Sequence, residues 1–293
     1  MLESLILTNT VTLQSVLLDK DSSYLVLDEA DLGTVEGTHH SYKYVSQVGV
    51  YIDSTTLEQR TVAISGWVIG DTYGELKENK KILNRLVNPL HTIDAVIQEK
   101  YKLTFKPDYS VKYSVSYKEN NEVLCKFLIQ GTCADPMFTT KDKQSALIAS
   151  TIPKFRFPLV IPQDTGILMG LREPSLLATL NNGGDIDTGL LVTFSCTSTV
   201  TNPSLLNVDT REFIKVNKVM SAGEQIIIST GSGEKYIKGI VNGVEYNYFK
   251  YVDFDSTWLQ LHTGENTLKY DADSNVAGLE VLISFLPKYL EVQ

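Results

Sequence analysis

Apolar and polar residues alternate along most of this chain, which is the pattern of β-strands that bury one face. The clearest stretch runs from Thr61 to Ile69, where Val62 and Ile64 are separated by polar or small residues. The same alternation predicts these further strands in the first half: Leu2 to Leu7, Tyr24 to Asp28, Gly33 to Tyr44, Val48 to Asp53, Ile93 to Ile97, Tyr101 to Phe105, Val111 to Tyr117 and Glu122 to Gly131.

One segment has a helical period instead. Leu76 and Leu83 fall on one helical face together with the apolar residues that flank them. Thr72 and Glu75 have the spacing of a capping box, and Pro89 ends the helix because a proline keeps the residue before it out of the α region. The sequence therefore predicts a single helix directly after the strand at Thr61 to Ile69.

A hairpin is predicted from Val48 to Ile69. Val50 and Ile52 lie on one face of its first strand and Tyr51 lies on the other, so neither face is wholly polar. A two-stranded hairpin with apolar groups on both faces is barely stable alone in water. It is therefore expected to need a second surface besides its own domain.

The second half of the chain contains short strand-like segments and no helical period. Asn242-Gly243 is its clearest turn, because both residues tolerate a positive φ. The spacing of the segments predicts an all-β sandwich. Its predicted strands are Ser175 to Leu180, Leu190 to Cys196, Phe213 to Val216, Gln225 to Ser229, Tyr236 to Ile240, Val244 to Tyr246, Trp258 to Leu261, Thr267 to Tyr270 and Leu279 to Phe285.

Prolines mark the junction between the two halves. Pro153 is followed by two more prolines within Lys154 to Pro162, and proline cannot donate to a sheet ladder. We place the boundary between Thr139 and Pro153. The predicted domains are residues 1–150, a β domain with one helix and a protruding hairpin, and residues 151–293, a β-sandwich.

Composition and charge narrow the possible functions. The formal net charge is -9, and residues 1–153 carry 15 basic and 19 acidic residues while the remainder carries 11 and 16. Without a basic cluster, the chain lacks the charge that binds phosphates, so no specific nucleic-acid binding is expected. Three cysteines without CxxC spacing fit a reducing cytoplasm, and no apolar run is long enough to predict a membrane span.

No constellation of residues predicts catalysis or a metal site. His39 and His40 are adjacent on a predicted strand, so they point to opposite faces. The paired aspartates near the C-terminus, which are Asp253, Asp255, Asp271 and Asp273, lack the glycine and glutamate of a calcium loop and are interpreted as turn residues. The serines have no nucleophile-elbow context. We expect a protein that is not an enzyme and that holds no cofactor or metal.

Trp258 is the one candidate for sugar stacking. Carbohydrate recognition needs convergent polar groups around an aromatic ring. Leu259 and Leu261 follow Trp258 in strand alternation, which favours packing in the core. Both interpretations stay open at this point.

Four segments, taken in order, resemble the distal tail protein family of long-tailed bacteriophages. They are LEQRTVAISGWVIG from Leu57 with the helix ending in LVNP, CKFLIQGTCADPMF from Cys125, TGLLVTFSCTSTVTNPSLLNV from Thr188 and STWLQLHTGENTLKYDAD from Ser256. The resemblance spans nearly the whole chain. It implies a mainly β fold whose second domain is a galectin-like sandwich.

The resemblance also implies a structural role in the virion. It implies a hexameric ring at the distal end of the tail, assembled in the bacterial cytoplasm, through which DNA passes without specific binding. The expected partners are the tail tube protein, a tail-associated hub protein and receptor-binding proteins. A hairpin embraces the neighbouring copy in this family, so Val50, Tyr51 and Ile52 are the predicted oligomer interface.

Two alternatives come from other functional classes. The first is a carbohydrate-binding module that recognises host cell-wall sugars through the second domain. The second is a glycoside hydrolase, which would need two carboxylates across a groove. No motif in the sequence supports that pair.

Overall fold

A computed structural model describes residues 2–46, 48–148, 151–153, 170–172 and 176–292. The chain divides into two compact units, Met1–Asp142 with Tyr289–Gln293, and Lys143–Lys288. The predicted edge segment Lys154 to Pro162 lies outside the described residues, as does Ser175. The division into domains at residue 150 stays a prediction.

The first unit contains one helix and a long series of strands. In chain order these are β1 (Ser4–Asn9), β2 (Ser15–Asp19), β3 (Leu25–Asp31), β4 (Gly37–Tyr42), β5 (Tyr51–Leu57), β6 (Arg60–Ile69), α1 (Tyr73–Leu86), β7 (Ile93–Ile97), β8 (Tyr101–Pro107), β9 (Lys112–Tyr113), β10 (Leu124–Cys133) and β11 (Phe138–Thr140).

Seven of these strands close into a barrel. Their order is β8-β7-β1-β2-β3-β6-β10, and β10 pairs with β8 again through Gly131 and Thr132. A Cβ on Gly131 would overlap the ring of Phe105, so only glycine allows the two strands to meet there. The barrel core is apolar and includes Leu5, Leu18, Ile64, Phe105 and Phe127. This arrangement makes β6, which pairs with β3 and β10, a central strand.

The helix α1 forms where the sequence predicts it. Thr72 is the N-cap, and its Oγ1 accepts from Glu75 N at 3.3 Å. Glu75 Oε2 accepts from the backbone N–H of Asp71 at 3.0 Å. In a regular capping box this carboxylate would accept from the N-cap residue itself, so here the second bond of the box goes to the residue before the N-cap. Leu76 and Leu83 are buried in the barrel core.

The predicted hairpin from Val48 to Ile69 is wrong in its pairing. β5 pairs with β4, not with β6, in the register Tyr42↔Tyr51 and Gly37↔Leu57. β6 cannot take β5 as a partner because β3 and β10 already occupy both of its edges. The protruding hairpin of this unit is therefore Gly37 to Leu57, which we call the exposed hairpin.

The second unit is built from two larger sheets and one separate pair of strands. Its strands are β12 (Gln144–Ile148), β13 (Thr151–Pro153), β14 (Gly170–Arg172), β15 (Leu177–Asn182), β16 (Thr188–Cys196), β17 (Val200–Asn207), β18 (Phe213–Lys215), β19 (Val219–Met220), β20 (Gln225–Ser229), β21 (Tyr236–Val241), β22 (Val244–Asn247), β23 (Gln260–Leu261), β24 (Gly264–Ser274) and β25 (Leu279–Phe285). The last strand, β26 (Lys288–Tyr289), pairs with β11 in the sheet of the first unit, to which Tyr289 belongs.

The two sheets of the second unit enclose one apolar core. One sheet has the order β12-β25-β16-β20-β21-β22, and the other has β15-β24-β17-β18. Phe194 and Ile283 from the first sheet share a buried cluster with Leu205 and Tyr270 from the second. The unit is a β-sandwich, and the predicted mainly β fold class is confirmed.

Some strands of the second unit were predicted from the sequence and others were not. Asn242 and Gly243 have φ values of 51° and 79° between the paired strands β21 and β22, as the turn requires. The strand β17 was not predicted, because Asn202-Pro203 interrupts its alternation. Short 3₁₀ turns at Phe249–Tyr251 and Val276–Gly278 complete the unit.

Candidate interaction surfaces

The exposed hairpin carries apolar side chains that nothing in the described part of the chain covers. Every described residue from Glu36 to Gln59 is exposed. Eight of these are large apolar or aromatic residues: Tyr42, Tyr44, Val45, Val48, Val50, Tyr51, Ile52 and Leu57. Val45 and Val48, near the tip, are 98% and 99% exposed. A cluster of this size on a protruding element marks an interaction surface.

The two faces of the hairpin differ in chemistry. Tyr42 and Tyr51 are register partners with ring centroids 5.0 Å apart, and Tyr44 packs edge-on against Tyr42 at 5.2 Å. Ile52 pairs with Ser41, so it lies on the other face, as predicted for Tyr51 and Ile52. The predicted interface residues Val50, Tyr51 and Ile52 are 57%, 53% and 50% exposed. Their role in an interface stays a prediction.

Arg60 fixes the root of the hairpin. It is the first residue of β6, shortly after the hairpin's second strand, and it is fully buried. It donates to the carbonyl oxygens of Leu32 and Gly33 at 3.4 and 3.3 Å, shortly before the hairpin's first strand. Its Nη2 also donates to Leu290 O at 2.5 Å, and its guanidinium lies 4.4 Å from the ring centre of Phe138. Burial lowers the pKa of Arg60, partly opposed by Glu291.

A groove crosses the barrel wall beside the hairpin root. It has a volume of about 420 Å³ and spans β3, β6, β10 and β9. Ala63 and Ser65 lie along β6, the second of these strands, where their small side chains leave room. The other lining residues are Glu29, Asp31, Lys112, Tyr113, Ser114, Lys126, Phe127 and Leu128. We call this feature the barrel groove.

Trp258 is half-buried against the sandwich core. Its ring stacks on Phe249 with centroids 5.9 Å apart, and Lys235 Nζ lies 5.6 Å from the ring centre. The role of Trp258 in sugar stacking stays a prediction. A shallow site of about 290 Å³ lies nearby, lined by Phe249, Tyr246 and Lys238 among others.

Glu224 is the most deeply buried carboxylate of the described second unit. It accepts from Lys218 Nζ at 2.6 Å, from Tyr248 Oη at 2.8 Å and from Ser221 N at 3.1 Å. Burial alone raises the pKa of Glu224, but these donors together hold it below its ordinary value. The same burial, with the Glu224 carboxylate, raises the pKa of Tyr248 to about 12. All three partners stabilise the carboxylate, which is the pattern of a structural group.

The remaining candidates for chemistry are the histidine pair and the buried thiols. His39 and His40 are exposed and each contacts a threonine, Thr55 at 2.9 Å and Thr56 at 3.2 Å. Burial raises the pKa of the Cys133 thiol to about 12, so it stays protonated. Within the described ranges, no three His, Cys, Asp or Glu residues are grouped to hold a metal ion. No helix in that part of the chain is long and apolar enough to cross a membrane.

Comparisons with known proteins point to phage tails. Residues 183–289 match a family model described as siphovirus-type tail component, C-terminal domain. None of the curated proteins compared with the chain matches it.

Solved structures extend the likeness to the whole chain. The crystal structure of phage SPP1 Dit, described as a paradigm of the hub adsorption apparatus in phages that infect Gram-positive bacteria, has a TM-score of 0.67 at 13% identity, over 97% of this chain and 98% of that one. Two structures of the phage P2 baseplate in its activated conformation, with Ca and with Sr, have TM-scores of 0.55 at 10% and 11% identity over all of both chains. The resemblance predicted from the sequence is confirmed.

Proposed function

We propose that this chain, which has the fold of a phage distal tail protein and a C-terminal domain of the siphovirus-type tail component, forms a hexameric ring at the distal end of a phage tail. The ring connects the tail tube to the tip or baseplate and its adsorption proteins. In this role the protein acts by assembly and not by catalysis, and it resides in the virion after assembly in the bacterial cytoplasm.

The exposed hairpin is the observation that carries this proposal. A hairpin this apolar gains stability when a second surface covers it, since burial of apolar area contributes about 25 cal/mol per Å². Its own chain leaves it uncovered throughout the described residues. A head-to-tail contact, in which each copy gives a hairpin and receives one, closes into a ring when the rotation suits the copy number.

The partners follow from a position at the end of the tube. The tail tube protein would contact one side of the ring, and a tail-associated hub protein would contact the other. Receptor-binding proteins would dock through the sandwich unit. The mildly acidic charge of both halves suits a channel through which DNA passes without binding.

The first prediction tests the hairpin by replacing Tyr51 with Asp and Ile52 with Lys. Both side chains are exposed in the single chain, so the variant should fold with an unchanged circular dichroism spectrum. In an interface, the two unpaired charges would each cost several kcal/mol. Light scattering at high concentration, with the tube partner present, should show the wild type near six copies and the variant as a monomer.

A matched control is available in the second unit. Val244 and Tyr246 are 52% and 50% exposed on β22, and Tyr246→Asp with Val244→Lys again replaces a tyrosine with Asp and a β-branched aliphatic residue with Lys. This control should assemble like the wild type. If the wild type stays monomeric in the presence of its tail partners, the proposed ring is wrong. If the Tyr51/Ile52 variant unfolds, these side chains are needed for folding of the unit and the assignment of the hairpin to an interface is wrong.

A further inference from the structure

We propose that residues 289–292, which we call the strap, close over Arg60 and thereby hold the root of the exposed hairpin in the position that assembly requires. The strap follows the sandwich unit along the chain but groups with the first unit. This inference rests on the proposed ring and adds a condition to it. A chain whose strap is open presents a hairpin that is only loosely held at its root.

Arg60 is the point at which the strap and the hairpin root meet. Its Nη1 donates to the carbonyl oxygens of Leu32 and Gly33, on the stretch of chain that leads into the hairpin. Its Nη2 donates to Leu290 O, which belongs to the strap. The bond to Leu290 is the shortest of the three, at 2.5 Å against 3.4 and 3.3 Å. One side chain therefore bonds both segments.

Arg60 depends on the strap because its other acceptors are weak. Its Nε is buried and has no hydrogen-bond partner within the described part of the chain. Loss of Leu290 O would leave the buried cation with two long bonds, and a buried charge with few acceptors is costly. Opening of the strap would let water reach the guanidinium, where it competes with the carbonyl groups of Leu32 and Gly33.

The strap is held on the barrel by side chains as well as by this bond. Tyr289 packs edge-on against Tyr101 with ring centroids 5.3 Å apart, and Tyr289 and Val292 both contact the barrel core. The strand β26, which ends at Tyr289, pairs with β11, and Phe138 of β11 has its ring centre 4.4 Å from the Arg60 guanidinium. Because β26 is the end strand of its sheet, it can open at a lower cost than a strand of the closed barrel.

The hairpin itself contributes little to its own anchoring. Every described residue from Glu36 to Gln59 is exposed, so none of these side chains is buried against the barrel. The backbone bond from Glu58 N to Glu36 O, at 2.8 Å, closes the root. A hairpin fixed at its root loses less conformational freedom when it binds, so an ordered root favours assembly.

The order of segments along the chain gives the strap a regulatory consequence. Met1–Asp142 come first, Lys143–Lys288 of the sandwich unit follow, and the strap comes after both. The anchor of the hairpin is therefore incomplete until the ribosome has passed the sandwich unit. A hairpin that becomes ordered only then delays assembly until both units have been synthesised.

Hydrogen exchange on the full chain tests the coupling. The amide of Glu58 reports on the hairpin root, and the amide of Ile69, which donates to Tyr24 O at 2.8 Å at the other end of β6, reports on the barrel. Arg60→Lys keeps the charge but loses the planar fork, and Tyr289→Ala loosens the strap without changing Arg60. Each should raise the exchange rate of the Glu58 amide about tenfold and leave that of Ile69 within about twofold of the wild type.

Tyr113→Ala is the matched control for Tyr289→Ala. Tyr113 also packs, partly buried, against the barrel core, but its hydroxyl bonds to helix α1 and not to the strap. This control should leave the exchange of the Glu58 amide unchanged relative to Ile69. If Arg60→Lys does not fold, Tyr289→Ala and its control decide the question alone.

A double variant separates one shared contact from two independent effects. Arg60→Lys and Tyr289→Ala both act on the bond between Arg60 and the strap, so the two together should raise the exchange rate of Glu58 by less than the product of the single effects. Effects that multiply in full would show that the strap and Arg60 hold the hairpin independently, which would overturn the inference.

Assembly gives the functional readout. In the presence of the tube partner, Tyr289→Ala should need a concentration about tenfold higher than the wild type to form rings, as measured by light scattering. Rings that form at the wild-type concentration, although the Glu58 amide exchanges faster, would show that assembly does not require the ordered root.

The outcomes separate the strap from the ring. If the wild type assembles and the Glu58 amide exchanges at the wild-type rate in both single variants, the strap is overturned and the ring stands. If the wild type does not assemble with its tail partners, the ring and the link to assembly are overturned together. The exchange of Glu58 then still decides whether the strap holds the hairpin root, because that measurement needs only the single chain.

Discussion

At the scale of single residues, the buried charged residues Arg60 and Glu224 stabilise the fold, although the pattern of apolar and polar positions does not predict their burial. Arg60 stands at the start of a strand and looks like an ordinary boundary residue, yet it is fully buried and binds three backbone carbonyl groups from distant segments. Arginine suits this task because its planar fork offers five donors in fixed directions. The result is that both ends of the exposed hairpin are tied to one guanidinium.

The second prediction is that Glu224 makes the free energy of unfolding depend on pH. Its pKa in the folded chain lies below the ordinary value of 4.5, so the stabilisation it gives is present at neutral pH and is lost as the pH falls through the folded pKa. Glu224→Gln should therefore lower the free energy of unfolding by about 1–3 kcal/mol at pH 7, where it removes a charge-assisted bond to Lys218.

Urea unfolding of both proteins from pH 7 to pH 3 measures this. The difference between wild type and Glu224→Gln should shrink as the pH falls below 4.5, the ordinary pKa of a glutamate, and should be lost as the pH passes through the lower pKa of the folded chain. Glu245→Gln, at an exposed ion pair with Lys238, is the control and should change stability little at any pH. A difference at Glu224 that is constant across the range would contradict the assignment.

At the scale of elements, the exposed hairpin is separable from the barrel. Glu58 N donates to Glu36 O at 2.8 Å, so the chain enters and leaves the hairpin at one bonded pair. The third prediction replaces residues 37–57 with Asn-Gly, which suits a two-residue turn closed by such a pair. Because the hairpin buries almost nothing in its own chain, the barrel should keep its unfolding free energy within about 1 kcal/mol.

Assembly and stability should respond differently to this deletion. Thermal and urea unfolding should report a folded barrel, while light scattering should report only monomers. Removal of the β1–β2 hairpin would not separate assembly from stability in this way, because both of its strands belong to the closed barrel. A deletion variant that loses several kcal/mol would show that the hairpin packs on its own barrel.

At the scale of the whole molecule, the fourth prediction concerns the division into domains. Limited proteolysis should cut between Thr139 and Ile161 and leave two resistant fragments, because the chain passes from one compact unit to the other in this stretch and boundaries between domains are accessible to proteases. The two compact units meet in this region of the chain, at Asp142 and Lys143. Masses should be measured under denaturing conditions, because Tyr289–Gln293 group with the first unit and would keep the fragments together in native buffer.

One resistant fragment that covers both units would contradict the division. Separate expression of residues 1–142 gives a complementary test. That fragment lacks Leu290, whose carbonyl oxygen accepts from Arg60, so it should be less stable than the same unit in the intact chain. Equal stability would show that the carboxy-terminal segment contributes nothing to the first unit.

The sequence alone determined the local elements. Alternation with β-branched residues located β6, the capping pair Thr72 and Glu75 located α1, and Asn242-Gly243 located a hairpin turn, because each depends on residues close together in the chain. The ordered segments also carried the family resemblance. Only the tertiary structure decided which strand β5 pairs with, because periodicity says which face of a strand is buried but not which edge is already taken. The burial of Arg60 and the barrel groove are likewise tertiary, since each joins residues from strands far apart in sequence.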